Sequence, residues 1–159
     1  MVSTHYASVH AIASDYYPAD ILRVWSPVPD ETRQEWLASL IVNDSTLCGV
    51  AVATTGRVVG FCIALPAQSQ LKALYVHPEF SNHGIGSGLL RNMEACCLAN
   101  DVDELELNAS YNAESFYRKN GYEKVRETTQ KLADGSEMGA ILMIKCLMRS
   151  PDNTSKRTH

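Results

Sequence analysis

Residues 71–90, LKALYVHPEFSNHGIGSGLL, decide how this chain is read. The first part is strand-like and stops at Pro78; a polar turn then carries Gly84, Gly86 and Gly88 into the opening of an amphipathic helix. Glycines at such a junction let backbone N–H groups approach a ligand closely, and the helix dipole favours negative charge there. The pattern predicts a phosphate cradle. Small residues at a helix start also serve tight packing, so the flanking sequence has to discriminate.

Upstream, residues 47–54 (LCGVAVAT) and 58–65 (VVGFCIAL) read as a β-hairpin about Gly56, and residues 70–76 as the next strand. Downstream, the helix buries Ile85, Leu89, Met93 and Cys96 or Cys97, and Asn100-Asp101 stops it. Leu105 and Leu107 alternate with Glu104, Glu106 and Asn108, a strand pattern. A short helix over residues 112–120 follows, with Ala113, Phe116, Tyr117 and Asn120 on one face and Gly121 as its cap. Two strands, 122–131 and 138–147, flank an Asp134-Gly135 turn.

The first third is helical. From Ser8, the positions Val9, Ile12, Ala13 and Tyr16 recur at helical spacing, while the residues before them carry no signal. Pro18 opens a second helix with Ile21, Leu22 and Trp25. Thr32 and Glu35 have capping-box spacing ahead of Trp36, Leu37, Leu40 and Ile41. A strand–helix–strand centre requires a right-handed parallel crossover. The fold class expected is therefore mixed α/β (α+β): a mostly antiparallel sheet with a central parallel pair and helices on both faces.

The 159 residues, 45% apolar and 20% charged, suit one domain over residues 1–149 with a flexible polar tail at 150–159. A net charge of −4 argues against a nucleic-acid surface. It would suit an acidic groove for a cationic amine, although solubility alone accounts for it. Cys48, Cys62, Cys96, Cys97 and Cys146 have neither disulfide-framework nor zinc-ligand spacing. They read as small buried hydrophobes of a reducing compartment. No apolar run reaches membrane-span length and no leader pattern opens the chain, so a cytoplasmic location and no membrane partner are expected.

Two blocks together carry a resemblance. Leu74-Tyr75-Val76-His77-Pro78 with His83-Gly84-Ile85-Gly86-Ser87-Gly88-Leu89-Leu90 resembles the cofactor motif of the GNAT N-acetyltransferase superfamily. Asn108-Ala109-Ser110, Asn112-Ala113, Phe116-Tyr117 and Gly121-Tyr122 resemble its second motif. The likeness spans roughly residues 8–148, and Asp15-Tyr16 with Trp25 is similar to small, mostly uncharacterised bacterial members. It implies acetyl-CoA as cosubstrate, lying in a V-shaped gap between the two parallel strands, and a primary amine as acceptor. Cofactor contacts are implied for Leu74, Tyr75, Val76, His83, Gly84, Ile85, Gly86, Ser87 and Gly88. Two departures stand out: Ser81 occupies a place where the family often has Gln or Arg, and the family's first strand is missing or very short here. The latter leaves a sheet edge open, and with it the expectation of a homodimer.

Within the resemblance, Tyr117 is the catalytic candidate, protonating the departing thiolate; a phenol's ordinary pKa lies near a thiol's. An aromatic at that helical position also packs. Asn108 and Asn112 are candidate cofactor contacts, with helix capping as the competing role for Asn112. Glu104, Glu106, His10 and Asp15 are candidates for a base, none singled out. Tyr16, Tyr17, Trp25 and Trp36 fall in the segment that walls the acceptor side. No metal-ligand set is visible. The implied reaction is direct attack in a ternary complex, without an acetyl-cysteine. A non-catalytic acyl-CoA-binding module is the alternative, and a Rossmann-type nucleotide site fails on the glycine spacing.

Overall fold

The computed structural model of the protein describes residues 1–147. The tail expected from Ser150 lies outside the described residues. Three helices lead: α1 (Val2–Ile12), α2 (Ala19–Trp25) and α3 (Glu31–Ile41). Then come β1 (Leu47–Val52), β2 (Val58–Leu65), β3 (Gln70–Val76), α4 (Ile85–Ala99), β4 (Glu104–Ala109), α5 (Glu114–Lys119), β5 (Glu123–Lys131) and β6 (Glu137–Cys146). Among the described residues, six strands form one sheet in the order β1-β2-β3-β4-β6-β5, in which only β3 and β4 run parallel.

Strand alternation divides the core, and a register shift in β3 puts Leu71 on the face opposite Ala73 and Tyr75. Leu71, Leu105, Leu107 and Ala109 face α4 and α5, where they pack with Leu89, Leu90, Met93, Cys97, Tyr117 and Tyr122. Phe61, Ile63, Ala73 and Tyr75 face the helical first third. Helices thus cover both faces, as the alternating pattern predicts.

The α1 helix begins at Val2, six residues before the sequence signal. Its first turns are polar but satisfied: Thr4 and Ser8 are buried, and the Thr4 hydroxyl donates to the Val58 carbonyl at 2.9 Å. The buried stripe is Val9, Ala13 and Tyr17, spaced four apart, whereas Ile12 and Tyr16 are exposed. At α3, Asp30 caps instead of Thr32, accepting from the Arg33 N–H at 2.8 Å. Only Cys62 and Cys97 are buried; Cys48, Cys96 and Cys146 are exposed, on the outward parity of β1, the outer face of α4 and the end of β6. Strand β1 holds an outer edge of the sheet, with Val50 and Val52 exposed.

Helix α5 ends in a Schellman motif. Gly121 takes φ +92°, the Tyr122 N–H reaches the Tyr117 carbonyl at 3.0 Å, and the Gly121 N–H reaches Arg118 at 3.1 Å. The accompanying Tyr117–Tyr122 contact, edge-to-face at 5.6 Å, fixes the Tyr117 ring. Lys145 of β6 locks this end to α4: its Nζ donates to Glu94 at 2.8 Å and to the Asn120 carbonyl at 2.9 Å. Replacing Lys145 by Met strands the Glu94 carboxylate in an enclosed site and is expected to destabilise by about 2–3 kcal/mol, below the fully buried case because a quarter of the Lys145 side chain is exposed. Denaturant titration should show the double variant Lys145→Met/Glu94→Leu recovering much of that loss.

Candidate active site

The central parallel pair is barely a pair. Its only register match is Gln70 with Glu106, closed by the Glu106 N–H on the Ser69 carbonyl at 2.9 Å. Beyond that point the two strands part. A bulge lies beside this apex: Ile63 and Ala64 of β2 face Ala73 and Leu71, leaving Lys72 as the extra residue.

Alternation of antiparallel hydrogen bonds fixes where β3 aims its main chain. The His77 N–H bonds to the Val59 carbonyl at 2.7 Å, so the backbone groups of Tyr75 and Ala73 also turn to β2. Those of Leu74 and Val76 turn the other way, into the gap toward β4. Of the three β3 residues singled out in the sequence, Leu74 and Val76 present main chain to the gap. Tyr75 instead sends its ring to the α1 side, 5.5 Å from Phe61 and 4.4 Å from His5.

Three openings meet at the apex. A small cavity of about 50 Å³ inside the gap is lined by Leu74, Tyr75, Asn108, Ser110, Ala113 and Tyr117, among others. A larger one, about 230 Å³, lies under α1–α3 between Trp25, Trp36, Phe61 and Tyr75. A third, about 240 Å³, opens beside Gln70 and Thr129. Lys72 and Gln130 line all three. Neither residue carries a local sequence signal, because the bulge that places Lys72 is a property of strand pairing.

Tyr117 is buried, and its hydroxyl has no hydrogen-bond partner among the described residues, although its ring lines the small cavity. Burial, then Cys62 and Tyr75, push its pKa far above the usual phenol value. The near-match to a thiol drawn from ordinary values does not hold in this setting. Asn112 sits at a 3-10 turn (Tyr111–Ala113), where Ser110 is the N-cap and makes no side-chain cap bond. The Asn112 Oδ1 is buried without a partner. Tyr17, from the first third, accepts from the Tyr111 N–H at 2.9 Å and donates to the Gly139 carbonyl at 2.6 Å, with its ring stacked on Tyr111 at 5.4 Å. It thereby ties the loop after β4 to β6.

At the other end of the gap α4 begins. Gly84 takes φ +79° as N-cap and offers no side-chain cap. The first helical bond is Gly88 N–H to the Gly84 carbonyl at 3.0 Å, leaving the N–H groups of Ile85, Gly86 and Ser87 outward. The glycines differ in purpose. A Cβ at Gly86 would lie 3.2 Å from the Phe116 ring, so this one serves packing, whereas a Cβ at Gly84 or Gly88 meets nothing within 4 Å. Uncapped amides, a helix dipole and open space fit a pyrophosphate. His83 is exposed and bonds the Ser81 carbonyl at 2.7 Å, while the Ser81 hydroxyl closes the loop on Pro78 at 2.6 Å.

None of Glu104, Glu106, His10 and Asp15 lines these cavities. His10 is held by the Ser26 carbonyl at 2.7 Å, and the other three are exposed. The acidic groove that the net charge would suit is not there: no described residue lining the three cavities is a carboxylate. Burial pushes the thiols of Cys62 and Cys97 up, Cys97 to about 11, which disfavours a nucleophilic thiolate.

His5, in the segment without sequence signal, lines the 230 Å³ cavity. Its Nδ1 meets the Ser26 hydroxyl at 2.7 Å between Trp25 and Tyr75. Desolvation, then Arg33 and His10, lower its pKa from 6.5 to about 3, so it is neutral at pH 7. Between these values the unfolded chain binds a proton that the folded chain refuses; this stability is complete above about pH 6.5 and is lost as pH falls toward 3. Denaturation of His5→Gln across pH 7 to 4 should therefore show a shallower decline than the parent, by roughly 1–3 kcal/mol at the acid end.

The model of the "Acetyltransferase (GNAT) domain" matches residues 12–138. No curated protein matches the sequence. Among solved structures, a GCN5-related N-acetyltransferase from Rhodopseudomonas palustris is 26% identical with a TM-score of 0.80, covering 92% of this chain and 87% of that one. The PaiA N-acetyltransferase of Thermoplasma acidophilum, in complex with coenzyme A, is 23% identical with a TM-score of 0.73 over 91% and 89%. A ribosomal-protein-alanine N-acetyltransferase from Brucella melitensis is 22% identical with a TM-score of 0.65 over 92% and 91%. The latter two speak to the fold alone.

Proposed function

Because this chain belongs to the GNAT acetyltransferase family, we propose that it moves an acetyl group from acetyl-CoA to a primary amine by direct attack within a ternary complex. The observation that carries this reading is the parting of β3 from β4 just past Gln70 and Glu106, which opens one space onto the Leu74 main chain, Asn108 and Tyr117. When bound, acetyl-CoA supplies the acyl group as a thioester.

The outward amides of Ile85, Gly86 and Ser87, with the α4 dipole, hold the pyrophosphate. Gly84 and Gly88 keep side chains out of that space, and His83 stands beside it. The gap-facing backbone groups of Leu74 and Val76 pair with the pantetheine amides, and Asn108 completes the polar lining, whereas Asn112 lines none of the three cavities. The amine enters from the 230 Å³ cavity. As its nitrogen bonds to the carbonyl carbon, the developing oxyanion takes a main-chain N–H of Leu74 or Val76.

The C–S bond then breaks and its electron pair stays on sulfur, which accepts a hydrogen bond and then the proton of Tyr117. The proton lost from the attacking nitrogen returns to the phenol. No free phenoxide has to persist in a site whose burial disfavours it. The bland role of Tyr117, packing against Phe116 and Tyr122, is fulfilled by the same ring and competes with nothing in this scheme.

Tyr117→Phe keeps the packing and removes the proton. It is expected to lower kcat by about 10²–10⁴-fold while leaving the KM for acetyl-CoA within twofold. The assay is thiol release from acetyl-CoA over an amine panel, paired with thermal melts in CoA; binding at ~100 times Kd should add about 2.7 kcal/mol to either protein. A CoA-induced melt shift with no turnover on any amine would support an acyl-CoA-binding module instead. Undiminished kcat in Tyr117→Phe would remove the tyrosine from the chemistry.

A further inference from the structure

The 230 Å³ cavity carries charge of one sign only. Arg33, Lys72 and Lys131 line it, no described lining residue is acidic, and His5 adds no charge at neutral pH. None of the three cations forms an ion pair among the described residues. This runs against the chain's net charge of −4. Lys72 and Lys131 are exposed at the rim, but Arg33 is half-buried. Its guanidinium lies over the Trp36 ring at 4.9 Å, and its Nε is buried with no hydrogen-bond partner. Three cations without ion-pair partners around one cavity favour an anion there, and a carboxylate is the group whose geometry matches a guanidinium.

Apart from Gln130, the rest of the wall is mainly apolar and aromatic, with Trp25, Trp36, Leu37, Phe61, Ile63 and Tyr75. Trp25, Lys72, Ala73, Tyr75 and Gln130 also line the small cavity that reaches Tyr117. A molecule lying here with one end at the acyl group therefore has an apolar body along these rings and its far end near Arg33. From this arrangement we propose that the acceptor is a compact primary amine that also carries a carboxylate on an apolar body, with Arg33 as the residue that selects for the carboxylate. Polyamines and other polycations meet like charge and no counter-ion in this cavity.

The proposal rests on the acyl-transfer reading for its amine and on the cavity alone for its carboxylate, so two readouts separate them. One is turnover of matched probes: phenylalanine against phenethylamine, leucine against 3-methylbutylamine, phenylalanylglycine as a peptide-borne carboxylate, and spermidine. The other is calorimetric binding of the same probes to the CoA-saturated protein, which needs no turnover. Phenylalanine or leucine, or the dipeptide if the carboxylate is peptide-borne, should outperform its decarboxylated partner by roughly tenfold to a hundredfold in kcat/KM or affinity. Arg33→Gln should erase that advantage, bringing the carboxylate probes down to their decarboxylated partners, while leaving the KM for acetyl-CoA unchanged.

Carboxylate-dependent binding without turnover supports the proposal and overturns acyl transfer. Turnover that favours phenethylamine or spermidine overturns the proposal and leaves acyl transfer standing. An Arg33→Gln variant that folds, by its melt, yet raises the KM for acetyl-CoA assigns the cation to CoA phosphates and also overturns it. Absence of both binding and turnover over the whole panel overturns both readings.

Discussion

The site depends on a hydrogen-bond ladder that stops almost as soon as it starts. Strands β3 and β4 share one register pair, Gln70 with Glu106, and the Ser69 carbonyl takes the Glu106 N–H. Past it, an unpaired strand edge faces an unpaired strand edge inside the protein. An edge of unpaired N–H and C=O groups is a template for a chain that supplies the missing partners. A chain of amides and carbonyls is what the β3 edge lacks, and the pantetheine arm of CoA is such a chain.

Everything around the gap serves to hold it open. The bulge at Lys72 interrupts β3 at the apex, α4 and α5 pack under the diverging strands, and the Schellman turn at Gly121 fixes Tyr117 of α5 against them on that same face. From the opposite face, Tyr17 ties the loop after β4 to β6, and the aromatic cluster of His5, Trp25 and Tyr75 lines the 230 Å³ cavity. In the proposed scheme the gap takes the cosubstrate and the 230 Å³ cavity the acceptor. They communicate where Lys72 and Gln130 sit.

How much of this was legible in the sequence follows from which signals are local. Change of period from 3.6 to 2 marks strands and helices, and a strand–helix–strand order forces the parallel crossover, so the sheet could be read directly. The Gly84 turn and the Tyr117-Gly121 spacing were legible because both are made within a few residues. What escaped reading is made at a distance. Residues 2–7 look uninformative because their buried members, such as Thr4, and the site histidine His5 are polar and are satisfied by partners on Val58 and Ser26. Arg33 reads as an ordinary helix-surface cation until its Nε is found without a partner. The bulge at Lys72 exists only relative to β2, and Cys48, Cys96 and Cys146 look apolar in pattern yet face outward.

Amide hydrogen exchange, with and without CoA, tests the central claim most directly. In the free protein the N–H groups of Leu74 and Val76 should exchange much faster than those of Ala73 and Tyr75, which bond β2. Saturating CoA should slow Leu74, Val76, Ile85, Gly86 and Ser87 together, by up to about a hundredfold at ~100 times Kd. Protection confined to some other surface, or slow exchange at Leu74 and Val76 before any ligand is added, would contradict the account of an edge left open for the cosubstrate.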